Sequence, residues 1–272
     1  MQAAPTSPDA LPPLVDSHCH LPLLGDDAAG AWAAVERARS AGVGTLLCVA
    51  VDFEGLPAVL DFATADPHIH ATVGVHPNNH PGVVFTVDEI AARAEHTRVL
   101  AIGETGLDYF RSEGDLDWQH ARFRNHIRAA RELGKPLVIH SRDARADTIK
   151  VLNDENADDV GGVMHCFVDD YDTALAAIDL GFLISLSGIV TFRNATELQS
   201  VAQRLPLDSL LVETDSPYLA PVPRRGKPNE PAYVCHVAAF LAGLREESLE
   251  RIHVATTANF HRCFGGEPYR SG

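Results

Sequence analysis

Short apolar runs alternate with longer segments of helical periodicity from residue 14 to the C-terminal end of the chain. The apolar runs have the length and composition that are typical of buried β-strands. They predict eight strands, at residues 14–20, 45–50, 70–76, 99–105, 136–141, 162–167, 182–188 and 210–215.

The segments between these runs predict helices, and two further helices follow the last strand; together they cover residues 28–41, 55–65, 87–95, 116–133, 144–153, 171–180, 195–204, 232–242 and 246–264. Regular alternation of strands and helices is typical of a parallel sheet. Eight strand–helix pairs without a linker-like break favour one closed barrel over an open sheet with a second domain. We therefore predict an α/β fold, a single (β/α)8 TIM barrel over residues 14–272, after a disordered Pro- and Ala-rich leader at residues 1–13.

Composition and charge limit the partners of this barrel. The chain has a formal net charge of −15, which works against broad attraction to nucleic acid because that attraction comes from Lys and Arg. Any contact with nucleic acid is therefore expected to be local. Residues 1–13 contain no Lys or Arg for a signal peptide, and no apolar run approaches the roughly 18 residues of a membrane span. We expect a cytoplasmic protein without membrane contact, and no sequence feature indicates an obligate protein partner.

Polar side chains close several of the predicted strands. The active site of a β/α barrel forms at the C-terminal ends of its strands, so such residues are candidates for chemistry. His18 and His20 are two residues apart on one strand and are expected to point to the same side. The other strand-end candidates are Glu104, His140, His165 and Asp215.

The number and type of these six side chains indicate metal. A single histidine at a strand end is more often a packing residue, but a buried group of imidazoles and carboxylates is costly unless its members compensate one another or bind a cation. Four imidazoles and two carboxylates exceed the needs of one tetrahedral site and suit two adjacent divalent ions that share Glu104. Mixed nitrogen and oxygen ligands suit Zn, Mn, Co or Ni, with Mg possible.

Four further residues are candidates for substrate binding. His76 closes the third predicted strand and is expected either to touch substrate or to pack. Arg142 follows His140 and is expected to orient a phosphate or to begin the next helix, where Asp143 is the better candidate for the N-cap. Arg225 and Lys227 lie in the long loop at residues 216–231, which is either a phosphate clamp or a solvated loop.

Six segments of the chain closely resemble the TatD-type deoxyribonuclease family of metal-dependent hydrolases: DSHCH at 16–20, GETGLDY at 103–109, HSRDA at 140–144, HCF at 165–167, SGIVTF at 187–192 and ETDSPYLAP at 213–221. The resemblance implies that His18, His20 and Asp215 bind one metal, that His140 and His165 bind the other, and that Glu104 binds both. It also implies hydrolysis of DNA phosphodiester bonds, of the 3′–5′ exonuclease type. Because the acidic chain indicates no wide DNA-binding face, we expect the site to act on DNA ends or short oligonucleotides.

The predicted mechanism is attack on phosphorus by a hydroxide bridging the two ions, with Asp215 as the residue that takes the proton of the attacking water. Glu213 is expected to point away from the site as a structural residue. Two alternatives remain open at this level: a cyclic amidohydrolase or lactonase that attacks a carbonyl, and a non-catalytic metal-binding protein. Enzymes of the first kind often use a carbamylated lysine as the bridge, and no lysine closes a predicted strand here.

Overall fold

Eight parallel strands form one sheet in which each strand pairs with the next along the chain. The structure is a computed structural model that describes residues 11–266 and 269. Its strands are β1 (Leu14–Cys19), β2 (Val43–Cys48), β3 (Ile69–Val73), β4 (Val99–Asp108), β5 (Leu137–Arg142), β6 (Gly162–Met164), β7 (Phe182–Leu186) and β8 (Leu210–Val212).

Helices cover the outside of this sheet. They are α1 (Ala28–Ser40), α2 (Leu56–Ala65), α3 (Val87–Ala94), α4 (Asp117–Leu133), α5 (Arg145–Asp154), α6 (Tyr171–Asp179), α7 (Thr196–Arg204), α8 (Val234–Arg245) and α9 (Leu249–Phe264). The last strand meets the first through an isolated bridge between Cys19 and Ser216 and a backbone hydrogen bond from Asp215 to His18. The predicted single-domain α/β barrel is therefore confirmed.

Two apolar cores follow from the alternation of side chains along the strands. The larger core lies between the outer faces of the strands and the helices. A smaller core fills the barrel with side chains such as Val15, Val138 and Leu211, and Phe260 and Phe264 of α9 pack against it. Because Val15 and Leu211 lie near the beginnings of their strands, α9 closes the N-terminal end of the barrel and leaves the other end for the site.

Several predicted boundaries are wrong by a few residues, and the differences place functional side chains. β6 and β8 end before His165 and Asp215, because Cys166 and Asp215 have positive φ angles of 44° and 57° and turn the chain out of the sheet. β4 continues beyond its predicted end to Asp108.

Part of the predicted leader lies outside the described residues, which begin at Leu11. Pro12 and Pro13 accept hydrogen bonds from α9, through His253 Nδ1 and Thr257 Oγ1. Within the described part of the chain, none of the helices is long and apolar enough to cross a membrane.

Candidate metal centre

The six predicted ligands meet at the C-terminal end of the barrel, where Glu104 lies at their centre. Its Oε1 atom lies 2.9 Å from His140 Nδ1 and 3.0 Å from His165 Nε2. Its Oε2 atom lies 3.4 Å from His18 Nε2. The two oxygens of one buried carboxylate therefore face two different groups of imidazoles.

The second group of imidazoles, His18 and His20, faces Asp215. His20 Nε2 lies 3.3 Å from Asp215 Oδ1, and His18 Nε2 lies 3.8 Å from the same oxygen. The two histidine Nε2 atoms are 3.3 Å apart, as expected for residues that share one face of β1. The ligand atoms of His18, His20 and Asp215 all lie within 4.8 Å of one another, and so do those of His18, Glu104 and His165.

Three of the histidines are oriented by hydrogen bonds on their outer nitrogens. His20 Nδ1 donates to the Val49 carbonyl at 3.0 Å. His140 Nε2 donates to Asp108 Oδ2 at 3.1 Å, and His165 Nδ1 donates to Glu213 Oε1 at 3.2 Å. Each bond keeps a proton on the outer nitrogen, so that the inner nitrogen, once its own proton has left, can offer a lone pair to a cation, as carboxylate or carbonyl acceptors do for metal-binding histidines.

Asp108 and Glu213 contact two of the predicted ligands, although the sequence pattern did not place them at the centre. Asp108 follows the predicted end of β4, although the extension of that strand by three residues places it beside His140. The expectation that Glu213 points away is wrong, since its side chain is fully buried against His165 and also accepts a hydrogen bond from the Cys166 amide. Its position two residues before Asp215 in the segment predicted as a strand was the signal, because residues two apart in a strand share a face.

The electrostatics of the centre keep its carboxylates ionised. Burial alone would raise the pKa of Glu104, but the attraction of His165 and the hydrogen bonds from His140 and His165 hold that pKa well below its usual range. Burial likewise opposes ionisation of Asp215, and the hydrogen bond from His20 outweighs it, so the pKa of Asp215 is also lowered. Two anions are therefore enclosed by imidazoles.

These residues fit divalent cations. Anionic oxygens and imidazole nitrogens are the ligand types of Zn, Mn, Co and Ni sites. His18 supports the fit, because its buried Nδ1 atom has no hydrogen-bond partner among the described residues while Nε2 faces His20, Glu104 and Asp215. His18 Nε2 and His20 Nε2 are close enough to each other and to Asp215 to bind one cation together.

His76 lies in the same cluster but differs from the other histidines. Its Nε2 atom is 3.4 Å from Glu104 Oε1, and its Nδ1 atom accepts a hydrogen bond from the Asn78 amide at 3.0 Å. Burial lowers the pKa of His76 to about 3, so the ring is neutral and carries its proton on Nε2. His76 therefore donates toward Glu104 instead of presenting a lone pair to the centre.

The predicted substrate-binding cations lie at the mouth of the site. Arg142 is exposed at the end of β5, and Arg225 and Lys227 are exposed on the connection that follows β8. Within residues 11–266 none of the three forms an ion pair with the six predicted ligands. The expectation that Asp143 caps α5 is wrong. Asp143 has a positive φ of 53°, and the N-cap residue is Ala144, without a side-chain hydrogen bond.

A buried arginine holds the connection between β3 and α3 beside the centre. Arg122 of α4 is only 1% exposed, and burial lowers its pKa to about 10. Its guanidinium group donates to the backbone carbonyls of His76, Pro77, Asn79, His80 and Val83. The backbone that positions His76 is thus fixed from inside the protein.

Comparison with known proteins agrees with this geometry. A model of the family described as TatD related DNase matches residues 15–265. The chain is 45% identical, over 92% of its length and 95% of the relative's, to YcfH of Escherichia coli K12, an uncharacterized metal-dependent hydrolase. It is 33% identical to a Klebsiella pneumoniae protein named 3′-5′ ssDNA/RNA exonuclease TatD, covering 85% of this chain and 90% of that protein.

A solved structure shows the same architecture. The crystal structure of YJJV, a TatD homolog from Escherichia coli K12, superimposes with a TM-score of 0.86 at 28% identity. The match covers 93% of this chain and 98% of that one. With the family match along the barrel and the enclosed imidazole and carboxylate cluster, these relatives show that the chain belongs to the TatD family of metal-dependent hydrolases.

Proposed function

We propose that this chain is a deoxyribonuclease that removes nucleotides from the ends of DNA strands or short oligonucleotides, in the 3′–5′ direction. The observation that carries the proposal is the position of Glu104, whose two oxygens face two separate groups of imidazoles at the mouth of the barrel. The name of the Klebsiella pneumoniae relative supports the choice of nucleic acid as substrate.

Two divalent ions fit these groups. His18, His20 and Asp215 would hold one ion, His140 and His165 would hold the other, and Glu104 would contact both. When bound, such a pair supplies an activated water and polarises a phosphate oxygen. The ligand types suit Zn, Mn, Co or Ni, and Mg when substrate phosphate completes its shell.

The side chains of the centre differ in their access to substrate. The Glu104 side chain is 3% exposed and the Asp215 side chain is 15% exposed. Glu104 is therefore suited to holding the centre together, whereas Asp215 reaches the opening and is suited to accepting the proton of the attacking water. The exposed Arg142, Arg225 and Lys227 would contact the flanking phosphates, and His76, which lies beside Glu104, would border the substrate from the β3 side.

The lysines of the chain argue against the carbonyl-directed alternative. Lys135 donates to the carbonyls of Ala94 and Val99 near the beginning of β4. Lys150 is exposed and pairs with Asp154, and Lys227 lies in the exposed loop after β8. No lysine among the described residues is therefore placed to bridge two ions.

The test is an assay of the purified, metal-supplemented protein on end-labelled single-stranded DNA and on a panel of amides and lactones. We expect shortening of the DNA from its 3′ end, and losses of about 100-fold or more for Asp215→Asn and Glu104→Ala. Asp147→Asn is the matched control, because Asp147 bonds to Tyr109 and contacts none of the six ligands among the described residues. Activity on the carbonyl panel alone, or wild-type turnover in the two centre variants with folded circular dichroism spectra, would contradict the proposal.

A further inference from the structure

Exposed apolar side chains are concentrated around the mouth of the barrel. Among the described residues, every large exposed apolar side chain except Leu11 and Val254 lies in a connection that follows a strand at this end. The two that are aromatic, Phe110 and Tyr218, are 59% and 54% exposed. Apolar surface grouped around a polar site marks a binding surface rather than random exposure.

Phe110 is paired with a cation. The guanidinium carbon of Arg142 lies 4.3 Å from the centroid of the Phe110 ring. The sheet fixes this pair, because Asp108 on β4 is in register with Arg142 on β5 and the Tyr109 amide donates to the Arg142 carbonyl. The exposure of Phe110 leaves much of its ring open to a second flat group.

The carboxylate of Asp108 positions both Phe110 and the metal centre. Asp108 Oδ1 accepts hydrogen bonds from the amides of Phe110 at 3.0 Å and Arg111 at 2.8 Å. Its Oδ2 atom accepts the bond from His140. The Phe110 ring is therefore held at a fixed place relative to the ligands rather than on an independent loop.

We propose that Phe110 and Arg142 form a platform on which an unpaired nucleobase beside the cleaved phosphodiester bond stacks, while Arg142 also attracts the adjoining phosphate. This proposal rests on the proposed nuclease function and adds the residues that recognise the strand. An open aromatic ring beside a guanidinium group is the combination that binds single-stranded nucleic acid without sequence preference. Charge complementarity favours a nucleotide, because Arg142 is a local cation on a chain of net charge −15.

A second pair of the same kind supports this choice of ligand. Arg225 lies over the Phe192 ring, with its guanidinium carbon 3.6 Å from the ring centroid. Both residues are on connections that follow β7 and β8, so the two pairs flank one mouth. A strand that crosses the mouth would meet an aromatic group and a cation on either side of the centre.

The test measures binding rather than turnover. A fluorescent single-stranded phosphorothioate oligonucleotide, which resists hydrolysis, is titrated with the full-length, metal-supplemented protein and followed by anisotropy. A second oligonucleotide has abasic residues in place of its three 3′-terminal bases. We expect Phe110→Ala to weaken binding of the first strand by about 5- to 100-fold, the loss of one base–aromatic stack, and to bind the abasic strand as the wild type does.

Three further variants make the comparison specific. Phe110→Trp keeps a flat ring and is expected to restore binding, whereas Arg142→Ala is expected to weaken binding of both strands because a phosphate contact is lost. Val254→Ala on α9 removes an apolar side chain of similar exposure, 50%, at a distance from the mouth. It should leave both affinities unchanged.

Several outcomes would contradict the Phe110–Arg142 platform. Equal wild-type affinity for the two strands, no binding of either, or equal losses for both strands in Phe110→Ala would overturn it. Concentration-dependent dimers that Phe110→Ala abolishes in sedimentation would show that a second copy of the chain covers this surface instead. If the wild type discriminates between the strands but shortens no unmodified DNA, the proposed function fails while the platform stands.

Discussion

Replacing Asp108 with asparagine tests whether a residue outside the ligand set controls one half of the metal centre. The substitution keeps the size of the side chain, and its amide oxygen can still accept from the Phe110 and Arg111 amides. The amide nitrogen then takes the place of Oδ2, which accepts from His140 Nε2 and from Asn78 Nδ2 at 2.8 Å. Three donors would meet at that point.

The size of the effect follows from the proton on His140. An amide donor beside Nε2 favours the tautomer with its proton on Nδ1, which is the nitrogen that faces Glu104. The lone pair needed for a cation is then lost, and the carboxylate no longer increases the basicity of the ring. Loss of such a partner typically lowers metal affinity about 10- to 100-fold, or roughly 1.4 to 2.7 kcal/mol.

Isothermal titration calorimetry of Mn²⁺ or Zn²⁺ into metal-stripped protein measures this effect. We expect two binding steps in the wild type and a weakening of only one step in Asp108→Asn, because His18, His20 and Asp215 do not contact Asp108 in the described structure. Asp147→Asn should retain both steps. Two unchanged affinities in Asp108→Asn, or an equal loss in both steps, would refute the reasoning.

Two further predictions concern stability. Burial lowers the pKa of His126 from 6.5 to about 4, with Nδ1 donating to the Arg122 carbonyl and Nε2 accepting from the Val75 amide. The neutral His126 ring therefore contributes fully to stability above pH 6.5, and this contribution is lost as the pH falls toward 4. His126→Gln should reduce the difference in unfolding free energy between pH 7 and pH 5 by about 2 kcal/mol. If urea denaturation gives the same difference for the wild type and the variant, His126 does not have this role. Gly106 has a φ of 142°, and a Cβ atom there would lie 1.9 Å from the His140 carbonyl oxygen, so Gly106→Ala should lower the unfolding free energy by about 3 to 5 kcal/mol. Gly82→Ala, at a positive φ with open space, should cost only about 1 kcal/mol, and equal losses for the two glycines would show that the contact with His140 is unimportant.

The barrel could be predicted from the sequence because its signal is repeated. Each apolar run is followed by an amphipathic segment, so an error of a few residues at β6 or β8 leaves the strand order intact. The six centre residues could also be predicted to lie together, since parallel strands end at the same edge. Their role as ligands stays a prediction, with the geometry and the donor types in its favour.

The residues that orient those ligands could not be found in the same way. Asp108 acts through a hydrogen bond across β4 and β5, and pairing between strands is not visible in the spacing of either one. The exposed side chains are a different case. Arg142 and Phe110 are 32 positions apart in the printed sequence, and only the register of the sheet shows that they are neighbours.

The buried Arg122 affects how freely the β3–α3 connection can change its sequence. Its partners in that connection are backbone carbonyls, which every amino acid possesses, proline included. Substitutions at Asn79, His80 or Val83 would therefore alter the side chains on this segment without removing the acceptors that Arg122 uses. The side chains beside the centre can thus change while Arg122 still holds the backbone around His76 in the same place.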